Sequence, residues 1–376
     1  MDFSQFCSCG PSDYACLKAR VDARGQGRGY DFPRWPCFDA EPAPTQPFPD
    51  PFQRLNGILQ TLVLGQDAAV EAAAFKLYGH ISKRAPTRPL SLIFSGPSGV
   101  GKSELGKGLA PALNRYCGSN RYRLVWTELN TFTEAHSAYR LTGAPPGYAG
   151  YEDPPVLEEV RQNPYTVFMF DELDKAHPEV LKIFMSILDE GRCAARQTDA
   201  QGNRELDFRR CIFLFTTNTD LSGGGVRRLG FAVPEQTPET SRAAVPTGSA
   251  GLAQRLFQAD ERARQALIRS GVLREIAGRF SGLIGFHALD GEARTAVTVR
   301  QIAALGREYG LEITGVSPAI AQALTPKGAL SLRSTVGVLE GVLTPLFLSQ
   351  VQQGADRPCH LAGTPDHMYL LPDSFS

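Results

Sequence analysis

With 376 residues, 42% of them hydrophobic, the chain is long enough for roughly two domains with ordinary cores plus appendages. Lys plus Arg and Asp plus Glu number 39 each, so the net charge is zero and nothing global points to nucleic acid or an anionic membrane. No apolar run approaches the ~18 residues of a membrane span, and MDFSQFCSCG lacks the basic-then-apolar order of a signal peptide, which predicts a soluble, intracellular, cytoplasmic protein.

Residues 1–51 differ from the rest. Cys7, Cys9, Cys16 and Cys37 could close a tetrahedral zinc site, but C-x-C followed by distant single cysteines lacks paired C-x-x-C knuckles, and free thiols in a flexible leader are the alternative. Cys193, Cys211 and Cys359 are scattered, which argues against a disulfide framework. Pro33, Pro36, Pro42, Pro44, Pro47, Pro49 and Pro51 form a stiff, extended linker, and the whole segment suits an adaptor or docking arm.

From Phe52 the composition turns globular. LVLGQDAAVEAAAFKLYGHI opens at Gln66 and Asp67 on a helix with Val70, Ala73, Ala74 and Leu77 along one face. Core packing explains that helix by itself. The turn Val63–Gln66, with Val63 and Leu64, also suits one wall of an adenine pocket.

PLSLIF reads as a buried strand and Ser103–Leu113 as a helix with Leu105, Leu109 and Leu113 at four-residue spacing. Between them, FSGPSGVGKSEL satisfies G-x-x-x-x-G-K-[ST]. A loop of Gly96, Pro97, Ser98, Gly99, Val100 and Gly101 can turn sharply and bring backbone N–H groups against phosphate oxygens. Lys102 would reach the β- and γ-phosphates of ATP, and the Ser103 hydroxyl would bind Mg²⁺.

LVWTEL predicts a second strand. GAPPGYAGYEDPPVL is then an exposed loop carrying Tyr148 and Tyr151, whose rings are either surface decoration or functional. In YTVFMFDELDKAH, Val167–Phe170 form a buried parallel strand ending in Asp171 and Glu172. Asp171 would hold Mg²⁺ through its water shell, and Glu172 would polarise the attacking water. A helix over Pro178–Leu188 buries Val180, Phe184, Ile187 and Leu188, and 189–208 reads as a hairpin-like excursion. CIFLFTTNTD is another buried strand, with Asn218 placed either to position the γ-phosphate or water or to cap the following turn.

Residues 221–252 look like a flexible insertion, interrupted by the apolar tripeptide Leu229, Gly230 and Phe231. Helix returns over 252–274 and ends near Arg279, before the strand-like LIGFHAL. The remainder is a smaller α+β unit: helices over 292–309, 318–324 and 334–353, and strands at 311–315 and 367–371. Arg333, taken alone, is a solvated basic residue.

The ordered set VLGQDAAVEA, GPSGVGKSELGKGLA, TGAPPGYAGYED, FDELDKAHPEVLKIFMSILDEGR, LDFRRCIFLFTTN and the Arg279 segment before IGFHAL resembles the AAA+ ATPase module of the Clp unfoldase and disaggregase chaperones, specifically the C-terminal module with its small domain. The resemblance runs from about Leu62 to the end. It implies an α/β fold: a P-loop parallel-sheet domain (52–289) followed by a smaller, mostly helical α+β domain (290–376). It also implies ATP and Mg²⁺ at Lys102, Ser103 and Asp171, Glu172 beside Asp171, Asn218 as first sensor, and Arg279 as the arginine finger completing a neighbour's site in a hexameric ring. Tyr148 is similar to the pore-loop tyrosine that grips extended polypeptide.

Departures accompany the likeness. The family's G-A-R sensor is not intact, because Gly328 and Ala329 precede Leu330; a short deletion would place Arg333 in that role. The two-ring members' first ATPase module, coiled-coil middle domain and N-domain are lacking, which implies a single ring. Ile284, Gly285 and Phe286 imitate a peptidase-docking tripeptide but align with a strand, whereas Leu229–Phe231 lie where docking loops occur. The expected function is an ATP-dependent unfoldase pulling polypeptide through a pore; the rival is a switch acting on one dedicated partner without threading. A nucleic-acid motor is disfavoured by the neutral charge and by a pore aromatic without flanking Lys or Arg.

Overall fold

A computed structural model describes residues 51–144, 147, 154–195, 202, 204–219, 249–269, 274–326, 332–353 and 358–372, with backbone alone for 249–256, 259 and 332–334. Helices α1 (Pro51–Gln60) and α2 (Asp67–Ile81) precede strand β1 (Leu90–Ser95) and helix α3 (Lys102–Cys117). Then come β2 (Arg123–Glu128), β3 (Thr166–Asp171), α4 (Pro178–Glu190), the short strands β4 (Arg192–Ala194) and β5 (Glu205–Asp207), β6 (Ile212–Thr217), α5 (Ser249–Arg269) and β7 (Gly282–Gly285).

Five strands form one sheet in the order β2-β3-β6-β1-β7, and every pairing is parallel. The sequence dictates this through its apolar runs. β1, β3 and β6 are buried along their whole length, which requires cover on both faces. Alternation then divides the cover. Val167, Met169, Ile212 and Leu214 pack with α1, α2 and α3, while Phe168, Phe170, Phe213 and Phe215 pack with α4 and α5.

The second face is an aromatic stack: Phe168 on Phe213 at 5.1 Å, Phe170 on Phe215 at 5.3 Å, and Phe184 edge-on to Phe170 at 4.8 Å between centroids. Burying each such ring contributes roughly 1.5–3 kcal/mol, which holds the middle of the sheet as a rigid platform. Fold and family expectation agree here: this is the α/β P-loop architecture.

Several element ends differ from the sequence reading. Pro51, the last residue of the proline run, already lies in α1, the first described helix, where a first-turn proline forfeits no helical hydrogen bond. α3 runs on to Cys117 through Pro111, whose exposed position leaves the carbonyl it strands within reach of water. Helix is described over Ser249–Arg269 and again over the single turn Arg274–Ala277, and 270–273 lie outside the described residues. β4 and β5 pair antiparallel, as a hairpin-like excursion should.

After β7 come α6 (Gly291–Glu308), β8 (Ile313–Val316), α7 (Pro318–Leu324), α8 (Leu332–Gln352), β9 (Cys359–Thr364) and β10 (His367–Pro372). Asp290 starts α6 by accepting the Ala293 N–H at 2.7 Å. These elements share their own core, built on Ile302, Leu305, Ile313, Leu339, Leu343, Phe347 and Leu361. β9 was not foreseen. It pairs parallel to β8 and antiparallel to β10, and its sequence, CHLAGT, offers no β-branched run.

Cys117, Cys193, Cys211 and Cys359 are free thiols, and no metal-binding cluster of His, Cys, Asp or Glu occurs among the described residues. Cys7, Cys9, Cys16 and Cys37 lie outside them, as does the tripeptide Leu229, Gly230 and Phe231. No described helix is long and apolar enough to cross a membrane.

Candidate functional site

Parallel pairing sets the carboxyl ends of β1, β3 and β6 along one edge: Ser95 registers with Thr217, and Glu128 with Asp171. The loops leaving those ends therefore meet. Between them, and reaching to α6 and α8, lies a cleft of about 490 Å³ lined by residues that include Val63, Leu64, Ser98 to Ser103, Asp171, Glu172, Thr216 and Asn218.

The loop from β1 turns through Gly96, Gly99 and Gly101, all at positive φ. At Gly101 the requirement is also spatial, because a Cβ there would come within 2.9 Å of Val63 Cγ1. At Gly96 a Cβ would strike the Phe286 carbonyl. Gly96 and Pro97 do not line the cleft, and their carbonyls accept the Lys102 ammonium at 2.6 and 2.7 Å. Lys102 donates also to Asn218 Oδ1 at 3.1 Å. A buried cation is thereby held at the mouth of α3, beside a run of helix N-terminal amides.

Opposite stands the acid pair. Asp171, buried at the end of β3, accepts from Ser103 Oγ at 3.1 Å and from the Thr216 hydroxyl. Glu172 adopts the left-handed conformation, with φ of 62°, at the turn that follows β3. Its N–H donates to Thr216 Oγ1 at 3.0 Å, and its carboxylate accepts from Asn130 Nδ2 at 2.9 Å and Lys175 Nζ at 3.0 Å. Asp174 accepts from Thr217 Oγ1 at 2.9 Å and from the Asn218 N–H at 3.3 Å, fixing the turn that presents Asn218.

The donor set suits a polyphosphate and a hard divalent cation. The backbone amides of the loop and the Lys102 ammonium belong to residues that line the cleft and are the donors a phosphate chain needs, and hydroxyl and carboxylate oxygens of Ser103 and Asp171 suit Mg²⁺. Val63 and Leu64 give an apolar flank.

Arg279 does not line this cleft. Its Nε donates to Asp189 Oδ2 at 2.6 Å, at the far end of α4, and the side chain remains partly exposed. Arg333 falls in the first turn of α8, one turn before the cleft-lining Val336, but its side chain lies outside the described residues, as does Tyr148. Ile284 and Gly285 belong to β7 and Phe286 is buried, so that tripeptide is structural.

Sequence reasoning passed over Asn130, Thr216, Asp174 and Arg300, and it took Gln66 only as the end of the turn Val63–Gln66 and the opening of a helix, without its partner His287. Thr216 carried a faint signal, as a polar residue at the end of an otherwise apolar strand next to Asn218. The others are recognisable only through their partners.

Residues 88–281, a little over half the chain, match the family described as AAA domain (Cdc48 subfamily). The chain is 39% identical over 197 residues to the chaperone protein ClpC1, chloroplastic, of Oryza sativa subsp. japonica, covering 51% of this chain and 20% of that protein. It is 41% identical over 187 residues to the ATP-dependent Clp protease ATP-binding subunit ClpA homolog CD4B, chloroplastic, of Solanum lycopersicum, covering 48% and 19%. Against the chaperone protein ClpB4, mitochondrial, of Arabidopsis thaliana, it is 42% identical over 167 residues, covering 44% and 16%. The matched stretch thus spans about a fifth or less of those relatives' lengths.

Proposed function

The chain belongs to the AAA domain (Cdc48 subfamily) family, and from that premise we propose that it is an ATP-dependent protein-remodelling chaperone, a homo-oligomeric ring that hydrolyses ATP to pull polypeptide through a central pore. The observation that carries the reading is the convergence of Lys102, Ser103, Asp171, Glu172 and Asn218 on one sheet edge. The relatives' names, chaperones and a protease's ATP-binding subunit, support the direction in which the energy is used.

Bound ATP supplies the transferable phosphoryl group and Mg²⁺ the charge neutralisation. Lys102 and the loop amides hold the phosphates, with Ser103 and Asp171 as the Mg²⁺ holders. Glu172 accepts a proton from water at its carboxylate as the water oxygen bonds to the γ-phosphorus and the bond from that phosphorus to the bridging oxygen breaks, ADP leaving with the electron pair. Asn218 exchanges its Lys102 contact for one that orients the reacting groups. Arg279, held at the protomer's surface by Asp189, acts on a neighbour's site, and Tyr148 grips the polypeptide.

On this reading 52–289 is the ATPase domain, 290–376 the small domain with Arg333 as its sensor, and 1–51 a partner-binding arm, with Leu229–Phe231 a candidate peptidase contact. Unfolding of a stably folded reporter in the presence of ATP, with Glu172→Gln and Tyr148→Ala alongside, tests it.

A further inference from the structure

The apolar flank of the cleft belongs to no helix or strand. Residues 61–66 are a turn between α1 and α2, yet Leu62, Val63 and Leu64 face the cleft and the last two are almost fully buried. On one side the turn seats on glycines: a Cβ at Gly101 would come within 2.9 Å of Val63, and one at Gly108 within 2.8 Å of Leu62. On the other side two side chains take hold of it.

Gln66, only 3% exposed, stands at the N-cap position of α2 but makes no cap hydrogen bond. Its amide instead donates Nε2 to the His287 carbonyl at 2.8 Å and accepts the His287 N–H on Oε1 at 3.1 Å. The side chain thus behaves as one more rung beside β7, whose next residue, Phe286, donates its N–H to Ser95 at 2.7 Å and backs Gly96 of the phosphate loop. Arg300, on α6, donates Nη1 to the Leu62 carbonyl at 2.7 Å and the Thr61 carbonyl at 3.4 Å, and itself lines the cleft.

We propose that Gln66 and Arg300 are positioning residues for the base of the nucleotide: they fix Val63 and Leu64 against the phosphate loop and tie that flank to the C-terminal unit, so that recognition of the base depends on them and recognition of the phosphates does not. The proposal rests on the cleft being an ATP site. Only a primary amide fits at position 66. A carboxylate cannot donate to the His287 carbonyl, and leaving a buried backbone acceptor without its donor is costly. At position 300 a lysine keeps one donor for Leu62, whereas alanine keeps none.

The test uses the full chain and two probes, an ATP analogue fluorescent through its ribose and inorganic tripolyphosphate with Mg²⁺ as its competitor. The parent binds both. Gln66→Glu and Arg300→Ala should each weaken the fluorescent nucleotide by about tenfold or more, the scale set by an unsatisfied buried group, while tripolyphosphate affinity stays within about twofold. Arg300→Lys should recover most of the loss. Unchanged nucleotide affinity in both variants, or equal weakening of both probes, would overturn the proposal. A parent that binds neither probe would instead overturn the ATP-site reading beneath it.

Discussion

The Ser103 hydroxyl stands 3.1 Å from Asp171 Oδ2, although the two residues are 68 positions apart in the chain. One opens the helix after β1 and the other closes β3, and β6 lies between those strands in the sheet. Sheet topology alone therefore assembles a pair of oxygen donors suited to Mg²⁺.

Asp171→Asn keeps the shape and removes the charge. The Mg²⁺ concentration giving half-maximal ATP turnover should rise by about tenfold or more, as expected for losing a charged partner. A Mg²⁺ titration of the steady-state rate measures it, and an unchanged midpoint would remove Asp171 from the cation site.

Glu172→Gln should leave nucleotide affinity near that of the parent and lower turnover by ~10²–10⁴, the usual range for a positioned proton acceptor. Single-turnover hydrolysis beside equilibrium nucleotide binding separates the two quantities. Because Asn130 and Lys175 hold the Glu172 carboxylate, Asn130→Ala should change turnover while binding stays constant.

The fold was legible where composition and burial agree. Val167–Phe170 and Ile212–Phe215 are apolar along their length and lie in fully buried strands, and the G-x-x-x-x-G-K-[ST] spacing placed the phosphate loop. β9 was not legible because its burial comes from pairing with β8 and β10, not from residues of strong strand preference. Gln66 read as a helix opener and as the end of the turn that could wall an adenine pocket. Its actual partner, His287, lies 221 positions away, and no local pattern carries that information. Glu172 was legible as an acid at a strand end, but not its left-handed backbone, since non-glycine residues seldom adopt it.

Arg279→Ala should lower ATP turnover by ~10³–10⁵ if the guanidinium acts on a neighbouring protomer's site. Mixing that variant with Lys102→Ala, itself inactive, should restore measurable turnover, because some interfaces then pair an intact cleft with an intact Arg279. No recovery across all mixing ratios would place Arg279 in a structural role with Asp189.

His80 is buried on α2, and burial, with Lys83 adding to it, pushes its pKa down to about 4. Between pH 4 and 6.5 the unfolded chain therefore binds a proton that the folded chain refuses. Stability should fall as pH drops through that window, by on the order of 3 kcal/mol in full. Urea unfolding from pH 7 to pH 4.5 should show a flatter profile in His80→Leu than in the parent, and parallel profiles would contradict it.

Threading, as proposed above, requires that ATP turnover at this cleft pull polypeptide past Tyr148. Its most direct measurement is loss of fluorescence from a stably folded, tagged reporter with the purified protein and ATP. Loss is expected with the parent and none with Glu172→Gln or Tyr148→Ala, while Tyr148→Ala still hydrolyses ATP. Reporter fluorescence that stays intact with an ATP-hydrolysing parent, or that Tyr148→Ala abolishes as fully as the parent does, would contradict threading.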